Sequence, residues 1–146
     1  MRLSKAESLR NGVMLQVSVP TAVNAGDSVA LQIRLTNTGK ETAYFGEIND
    51  FAEYDIDIHD PSGSRPLLTT DGKYRLGGDG TGDSLRRLGG MNIIPILPGN
   101  FKEWKIDLAQ SYIFKPGKYS LSVSLNINPQ FLDFPITSKP ITFSVK

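Results

Sequence analysis

The chain has 146 residues, which suits one domain, and its 39% hydrophobic and 21% charged residues are typical of a folded protein rather than a disordered one. A formal net charge of +1 provides no large field to attract nucleic acid or an anionic membrane. The absence of cysteine excludes disulfides, thiolate nucleophiles and cysteine-ligated metals. No apolar stretch approaches the ~20 residues that span a bilayer.

The N-terminal segment, residues 1–12, reads MRLSKAESLRNG and shows no sustained apolar pattern. We predict that it is a disordered leader and that the folded domain covers residues 13–146. Its basic residues are not followed by an apolar segment, so it is not a signal peptide as it stands. A periplasmic or extracellular location is favoured if such a peptide has been removed. The sequence leaves the compartment and the oligomeric state open.

Six blocks of alternating apolar and polar residues predict β-strands, because successive side chains of a strand point to opposite faces. In chain order, their apolar positions are Leu15, Val17 and Val19; Val29, Leu31, Ile33 and Leu35; Tyr54, Ile56 and Ile58; Trp104, Ile106 and Leu108; Tyr119, Leu121, Val123, Leu125 and Ile127; and Ile141, Phe143 and Val145. No amphipathic helix is predicted. Half-buried strands separated by short turns favour two antiparallel sheets packed face to face over these rows.

A glycine-rich stretch interrupts this rhythm, because residues 72–99 hold eight of the fourteen glycines. Glycine loses much conformational entropy on folding and packs no side chain, so we predict a long excursion between strands. The apolar run Met91–Leu97 follows the densest glycines and predicts a further strand. Pro95 within it favours a position at the edge of a sheet, since proline cannot donate a ladder hydrogen bond.

Two motifs in this stretch invite a chemical interpretation. Gly82-Asp83-Ser84-Leu85 spells the signature of one esterase family, but that chemistry requires a histidine base late in the chain, and the only histidine, His59, precedes it. The stretch 77–83 resembles one calcium-binding glycine-aspartate repeat, in which Asp79 and Asp83 are candidate ligands. We interpret both motifs as parts of a solvated loop.

The segment Lys115–Leu121 carries the sharpest structural signal, because Pro116-Gly117 turns the chain and Tyr119 starts a long alternating strand. In immunoglobulin-like sandwiches, a tyrosine placed there donates a hydrogen bond back across the corner. Further matching segments, in the same order along the chain, are Leu35-Thr36-Asn37-Thr38-Gly39, Leu97-Pro98-Gly99, Ile106-Asp107-Leu108 and Ser138 to Val145.

Together these segments resemble small immunoglobulin-like domains of exported bacterial proteins, including domains that precede the catalytic part of deuterolysin-like metallopeptidases. The resemblance implies an all-β fold: an immunoglobulin-like, two-sheet antiparallel β-sandwich with Greek-key connections and a long glycine-rich loop. It implies no catalytic or binding residues for this chain.

Catalytic and metal-binding roles find little support in the residues themselves. Asp55, Asp57 and His59 share one face of a predicted strand at spacings of roughly 6.6 Å, and their side chains are legitimate metal ligands. A water-facing sheet surface explains the same residues, so we predict no metal and no cofactor. With one histidine and no cysteine, acid–base catalysis would need a carboxylate pair, and none stands out. We therefore predict a non-enzymatic protein, with Trp104 in its core.

Two aromatic-rich connections, 43–51 and 128–135, are the predicted binding loops. Tyr44, Phe45, Phe51, Phe131 and Phe134 are the candidate anchors for a protein partner at one end of the sandwich. The alternative is that the four phenylalanine rings fold back and cap the core. We predict an interaction or accessory module that uses these loops. One alternative is a protease-inhibitor-like or prodomain-like role. Another is carbohydrate or calcium binding, with Asp55, Asp57 and His59 as a candidate face.

Overall fold

The computed structural model describes residues 2–48, 51–52, 54–72, 91–127 and 134–146. Nearly all of the regular structure in these residues is β-strand, which confirms the predicted all-β sandwich. Within these ranges no helix combines the length and apolarity required to cross a membrane. The predicted glycine-rich excursion falls largely on residues 73–90, outside the described residues.

The regular structure in the described part of the chain consists of fourteen strands, one 3₁₀ turn at Leu108–Gln110 and helical residues at 70–72. The strands are β1 (Leu3–Arg10), β2 (Val13–Pro20), β3 (Ala22–Val23), β4 (Ala30–Asn37), β5 (Ala43–Ile48), β6 (Phe51–Ala52), β7 (Tyr54–His59), β8 (Leu67–Leu68), β9 (Met91–Ile96), β10 (Phe101–Asp107), β11 (Tyr112–Ile113), β12 (Gly117–Ile127), β13 (Phe134–Thr137) and β14 (Ile141–Val145). All six strands predicted from alternation are present, as β2, β4, β7, β10, β12 and β14.

The strands form two large sheets and one small one. The first large sheet has the order β1-β2-β4-β10, with every neighbouring pair antiparallel. The second is built on β12, which pairs with β7 along one side and with β14 and β13 along the other. β5 joins β12 and carries β9, while β3 adds in parallel to β14. The small sheet pairs β8 with β11.

The inner faces of the two large sheets share one hydrophobic core. Leu15, Ile33 and Leu35 of the first sheet and Leu121 and Val123 of the second are fully buried. Apart from Tyr54 and Ile127, whose side chains lie outside the described part, the predicted core positions are buried, or partly buried at Ile56, Trp104 and Ile106. Burial on this scale is the main favourable term for folding, at about 25 cal/mol for each Å² removed from water.

A contact between aromatic rings and hydrogen bonds also join the sheets. The Phe45 ring of β5 meets the Trp104 ring of β10 edge to face, with centroids 5.1 Å apart. The Ser4 hydroxyl of β1 donates to the Thr142 carbonyl of β14 at 2.6 Å. Trp104 therefore packs against the core as predicted, and β1 is anchored to the opposite sheet.

The predicted disordered leader is wrong for most of its length, because Leu3–Arg10 is the first strand. β1 pairs with β2 along its whole length, from Arg10 opposite Val13 to Leu3 opposite Pro20. The connection is Asn11-Gly12, and both residues have positive φ, +50° and +79°. A two-residue turn of this kind matches the twist of the flanking strands, which is why Asn-Gly favours a hairpin.

The predicted tyrosine corner is confirmed. The Tyr119 hydroxyl donates to the Lys115 carbonyl at 2.8 Å, across the Pro116-Gly117 turn. Tyr119 stacks on Phe143, with ring centroids 5.5 Å apart. Leu121, two residues on, is fully buried. The corner therefore fixes where β12 begins, and this strand carries most of the second sheet.

Two segments outside the six alternating blocks are also strands. The segment Ala43–Ile48, predicted as part of a connection, is the strand β5, because aromatic residues are as well suited to a strand as to a loop. Met91–Ile96 is the strand β9 and pairs only with β5 among the described residues, as expected for an edge strand that contains Pro95.

A buried amide, Asn37, holds together the segments that meet at the end of β4. Its side chain is 2% exposed, and its Nδ2 donates to the carbonyls of Glu41 at 2.7 Å and Ile96 at 2.8 Å. Its Oδ1 accepts from the Gly39 amide at 2.9 Å. The backbone of Asn37 bonds in addition to Gly99 and Asn100. One residue thus ties β4 to the start of β5 and to the turn between β9 and β10.

We expect Gly12→Ala to destabilise the protein more than Gly26→Ala. Both glycines have positive φ, at which an alanine costs about 1 kcal/mol. A Cβ at Gly12 would lie 3.2 Å from the Cα of Gly39, whereas one at Gly26 meets no atom within 4 Å. Urea denaturation of the two variants measures the difference, and equal losses would contradict the hairpin geometry described here.

We expect Asn37→Ala to lower the free energy of unfolding by about 2–4 kcal/mol, because buried backbone carbonyls would lose their donor. Thr38→Ala is the matched control. The Thr38 hydroxyl donates to the Gly12 carbonyl at 3.0 Å at an exposed position, so its loss should cost less than about 1 kcal/mol. Chemical denaturation of both variants tests the difference. A cost at Asn37 no larger than at Thr38 would show that the amide is dispensable.

Candidate functional site

The outer face of the four-stranded sheet is an ordered array of polar side chains. Residues directly opposite each other in neighbouring strands share a face, so the strand registers define rows across the sheet. The first row runs Glu7, Gln16, Arg34 and Glu103, and the next runs Lys5, Ser18, Gln32 and Lys105. We call these two rows the polar face. Each of the eight residues is at least partly exposed.

Hydrogen bonds across the strands hold these side chains in place. Arg34 donates from Nε and Nη2 to one oxygen of Glu103, at 3.0 and 2.8 Å. The Gln32 amide donates to the other oxygen of the same carboxylate. At the opposite end of the row, Gln16 donates to Glu7 at 3.0 Å. The side chains are therefore oriented before any ligand arrives, which reduces the entropy lost on binding.

A third row beside the polar face is largely apolar. It consists of Leu9, Met14, Thr36 and Phe101. Leu9 is 68% exposed and Phe101 is 50% exposed. The Arg34 guanidinium lies over the Phe101 ring, 4.1 Å from its centroid, and this contact joins the apolar row to the polar face.

The polar face also contains a shallow concavity of about 270 Å³. Its walls include Lys5, Glu7, Gln16, Gln32 and Arg34. Amide, guanidinium, ammonium and carboxylate groups therefore surround one open volume, and together they supply both hydrogen-bond donors and acceptors. This set of groups suits a ligand that both donates and accepts hydrogen bonds over a broad surface.

The electrostatics of the face centre on Glu103. Hydrogen bonds from Arg34, reinforced by its charge and by Gln32, hold the pKa of the Glu103 carboxyl below its usual value. The ionised carboxylate is consequently the form that the network stabilises. Below the usual pKa of a glutamate this contribution is progressively lost, and the Arg34–Glu103–Gln32 arrangement loosens.

The predicted face of Asp55, Asp57 and His59 is less organised. The His59 Nδ1 lies 3.6 Å from an Asp57 carboxylate oxygen, and Arg65 lies 4.0 Å from the same oxygen. The side chain of Asp55 lies outside the described residues. Among the side chains that are described, no group of three potential metal ligands comes together.

The predicted aromatic anchors have different outcomes. Phe45 is 2% exposed and packs on Trp104. Its ring is part of the core, so the prediction that Phe45 contacts a partner is wrong. Tyr44 is half-buried. Phe51 lies in β6 and Phe134 in β13, but their side chains, like the whole of Phe131, lie outside the described residues. For these three the binding role stays a prediction.

The two motifs of the glycine-rich stretch, one with Ser84 and the other with Asp79 and Asp83, lie outside the described residues.

The sequence analysis did not predict the polar face. Its residues were visible as the polar positions of the alternating blocks, but the register that brings Glu7, Gln16, Arg34 and Glu103 into one row was not. The Asn11-Gly12 turn was the one available signal, since it fixes β1 on β2 and so places Glu7 beside Gln16.

Comparison with known proteins places the fold but not the function. No protein-family model matches the chain, and no curated protein matches it in sequence. Among solved structures it is similar to the crystal structure of the C-terminal domain of Wzt, with a TM-score of 0.53 and 15% identity. The match covers 97% of this chain and 78% of the other. At this identity the similarity shows a shared immunoglobulin-like β fold and carries no residue roles.

We expect Arg34→Met to raise the pKa of Glu103 towards its usual value, because the variant lacks the guanidinium that favours the carboxylate. Gln16→Met, in the same row, is the control and should leave that pKa unchanged, since Gln16 donates to Glu7 instead. An NMR titration of the Glu103 side-chain carboxyl measures both. A Glu103 pKa unaffected by Arg34→Met would show that the pair does not form in solution.

Proposed function

We propose that this chain is a non-enzymatic binding module that recognises a carbohydrate on the polar face of its four-stranded sheet. The observation that carries the proposal is the cross-strand network of Gln32, Arg34 and Glu103, which fixes an amide, a guanidinium and a carboxylate side by side at a partly exposed surface. A sugar hydroxyl both donates and accepts hydrogen bonds, so it matches a surface that offers amides, a guanidinium and carboxylates together.

The apolar row beside the polar face suits the apolar faces of a sugar ring. A sugar ring presents hydroxyls at its edge and C–H groups on its faces. Phe101 and Leu9 are exposed beside the polar rows and can contact the C–H groups while Arg34 and Gln16 bond the hydroxyls. Aromatic and aliphatic surface next to a few placed polar groups is a common composition for small-molecule sites.

The shape of the site supports an extended or branched ligand over a small, enclosed one. The concavity is open, and the polar rows cross all four strands. With strands about 4.8 Å apart, four strands span roughly 14 Å, which is wider than one sugar ring. We therefore expect several sugar units to bind side by side, each making a few hydrogen bonds.

The predictions of a protein partner at the loops that contain Phe51, Phe131 and Phe134, and of an inhibitor-like or prodomain-like role, stay predictions. No comparison links the chain to the deuterolysin-like metallopeptidases that its sequence resembles. Export from a bacterial cell likewise rests on that resemblance alone. Carbohydrate binding is preferred because the polar face places hydrogen-bonded amide, guanidinium and carboxylate groups beside the exposed side chains of Leu9 and Phe101.

We expect the purified protein to bind members of an immobilised array of bacterial polysaccharides, and Gln32→Ala to weaken that binding about tenfold. One lost hydrogen bond of this type is worth about 1–1.5 kcal/mol. Asp57→Asn, on the outer face of the other sheet, is the matched control and should bind as the unaltered protein does. Melting curves confirm that both variants are folded.

Two results would contradict this proposal. One is a folded protein that binds no polysaccharide on the array. The other is binding that survives Gln32→Ala but is lost in Asp57→Asn, which would move the site to the face of Asp57 and His59.

A further inference from the structure

A second surface, on the small sheet, exposes an apolar pair that the proposed carbohydrate site does not use. Leu67 of β8 and Ile113 of β11 are directly opposite each other in the strand register. Leu67 is 62% exposed and Ile113 is 49% exposed, so both present their side chains to solvent. Exposed apolar side chains that lie side by side, rather than singly, are typical of an interaction site.

The strand beneath this pair is packed on a cluster of aromatic rings. Tyr112, next to Ile113, is buried, and its ring contacts Phe114 at a centroid distance of 6.0 Å. Phe114 in turn meets Tyr119 and Phe143 edge to face, at 5.2 and 5.5 Å. Side chains supported in this way lose little further freedom when a partner binds, which favours affinity.

Cations border the pair on one side. A groove of about 450 Å³ is lined by Leu67 and Ile113 together with Arg65, Lys115 and Lys118. Arg65 lies 4.0 Å from Asp57, but Lys115 and Lys118 form no ion pair within the described residues. Both lysines are exposed. The groove therefore joins an apolar floor to positive charge that its own surroundings leave uncompensated.

Among the described residues that line the groove, Asp60 has the one carboxylate, and its Oδ1 is hydrogen-bonded within its own turn. Its Oδ1 accepts from the Ser62 amide at 2.9 Å, the Ser62 hydroxyl at 2.6 Å and the Ser64 amide at 3.0 Å. These bonds hold Oδ1 of Asp60 in the turn, and the groove's three cations, Arg65, Lys115 and Lys118, outnumber this carboxylate. Three prolines, Pro61, Pro66 and Pro116, also line the groove and stiffen its walls.

We propose that this groove, defined by Arg65, Leu67, Ile113, Lys115 and Lys118, binds an acidic peptide segment of a protein partner, with an apolar side chain seated on Leu67 and Ile113. Charge complementarity selects the partner: carboxylates on the peptide would meet Lys115 and Lys118, while its apolar residue covers the exposed pair. The site is separate from the polar face, so it does not depend on the proposed carbohydrate binding.

The test uses a short, fluorescein-labelled synthetic peptide in which Glu alternates with Leu, measured by fluorescence anisotropy with the full chain. We expect saturable binding that weakens strongly between 0.1 M and 1 M salt, as the screening length falls from about 10 Å to about 3 Å. A peptide with Lys in place of Glu, and one with Ser in place of Leu, should each bind at least tenfold more weakly.

Variants of the protein locate the site. Leu67→Ser and the double variant Lys115→Glu with Lys118→Glu should each reduce affinity for the Glu-Leu peptide at least tenfold. The matched controls are Leu97→Ser, at a leucine that is 56% exposed elsewhere, and the double variant Lys40→Glu with Lys139→Glu, at two exposed lysines outside both proposed sites. Both should bind as the unaltered protein does. Because Leu67 and both lysines are exposed, we expect all these variants to melt close to the unaltered protein.

Several results would overturn the proposal. They are no binding of the Glu-Leu peptide, or equal losses in the Leu67 variant and its Leu97 control. Sedimentation showing a dimer that Leu67→Ser dissociates would instead assign the pair to a second copy of this chain. Binding to phosphatidylglycerol vesicles, but not to the peptide, would assign the groove to an anionic lipid surface.

Discussion

Burial of the inner row Val17, Ile33 and Trp104 is the constraint on which the candidate site depends. These residues are opposite each other in β2, β4 and β10 and face the second sheet. Since side chains alternate along a strand, the register that buries this row necessarily sends the neighbouring row, with Gln16 and Arg34, to the outside. A slip of one residue in any strand would exchange the two faces. The hydrophobic core therefore positions the polar face.

A few specific hydrogen bonds fix the ends of strands, which the hydrophobic core does not determine. A hydrophobic interior fixes which face of each strand is buried but does not by itself fix where strands begin or which sheet they join. Asn37 does this for β4, β5 and the β9–β10 turn, and the Tyr119 hydroxyl does it for β12. Asp107 adds a third tie, because its Oδ1 accepts from the amides of Val29 and Ala109. These polar groups thus fix strand ends, while apolar side chains along the strands hold the two sheets together.

The two surfaces proposed for binding differ in how they are built. The polar face is a continuous sheet surface on which Arg34 pairs with Glu103 and Gln16 donates to Glu7 across strands, so it suits a ligand that forms many weak, neutral hydrogen bonds. The groove beside Leu67 and Ile113 places two lysines, which form no ion pair within the described residues, next to apolar area, so it suits a ligand that brings negative charge. Their separation on different sheets would let one domain hold two ligands at once, as an accessory module that connects them would require.

The sequence by itself determined the all-β class, the six alternating strands and β9, nearly all of the core rows and the tyrosine corner. These follow from local causes: two-residue periodicity, the φ preferences of Pro116-Gly117, and the position of Tyr119 two residues beyond the turn. The sequence also contained the hairpin signal Asn11-Gly12, whose positive φ angles form the turn that pairs β1 with β2. Tertiary structure alone decided that Phe45 is a core residue, because aromatic residues suit an exposed loop and a buried strand equally well until a neighbour such as Trp104 is in place. It also decided the rows of the polar face and the pairing of Leu67 with Ile113. Both depend on which distant strands lie side by side, and such pairings arise from the packing of the whole chain rather than from any local pattern.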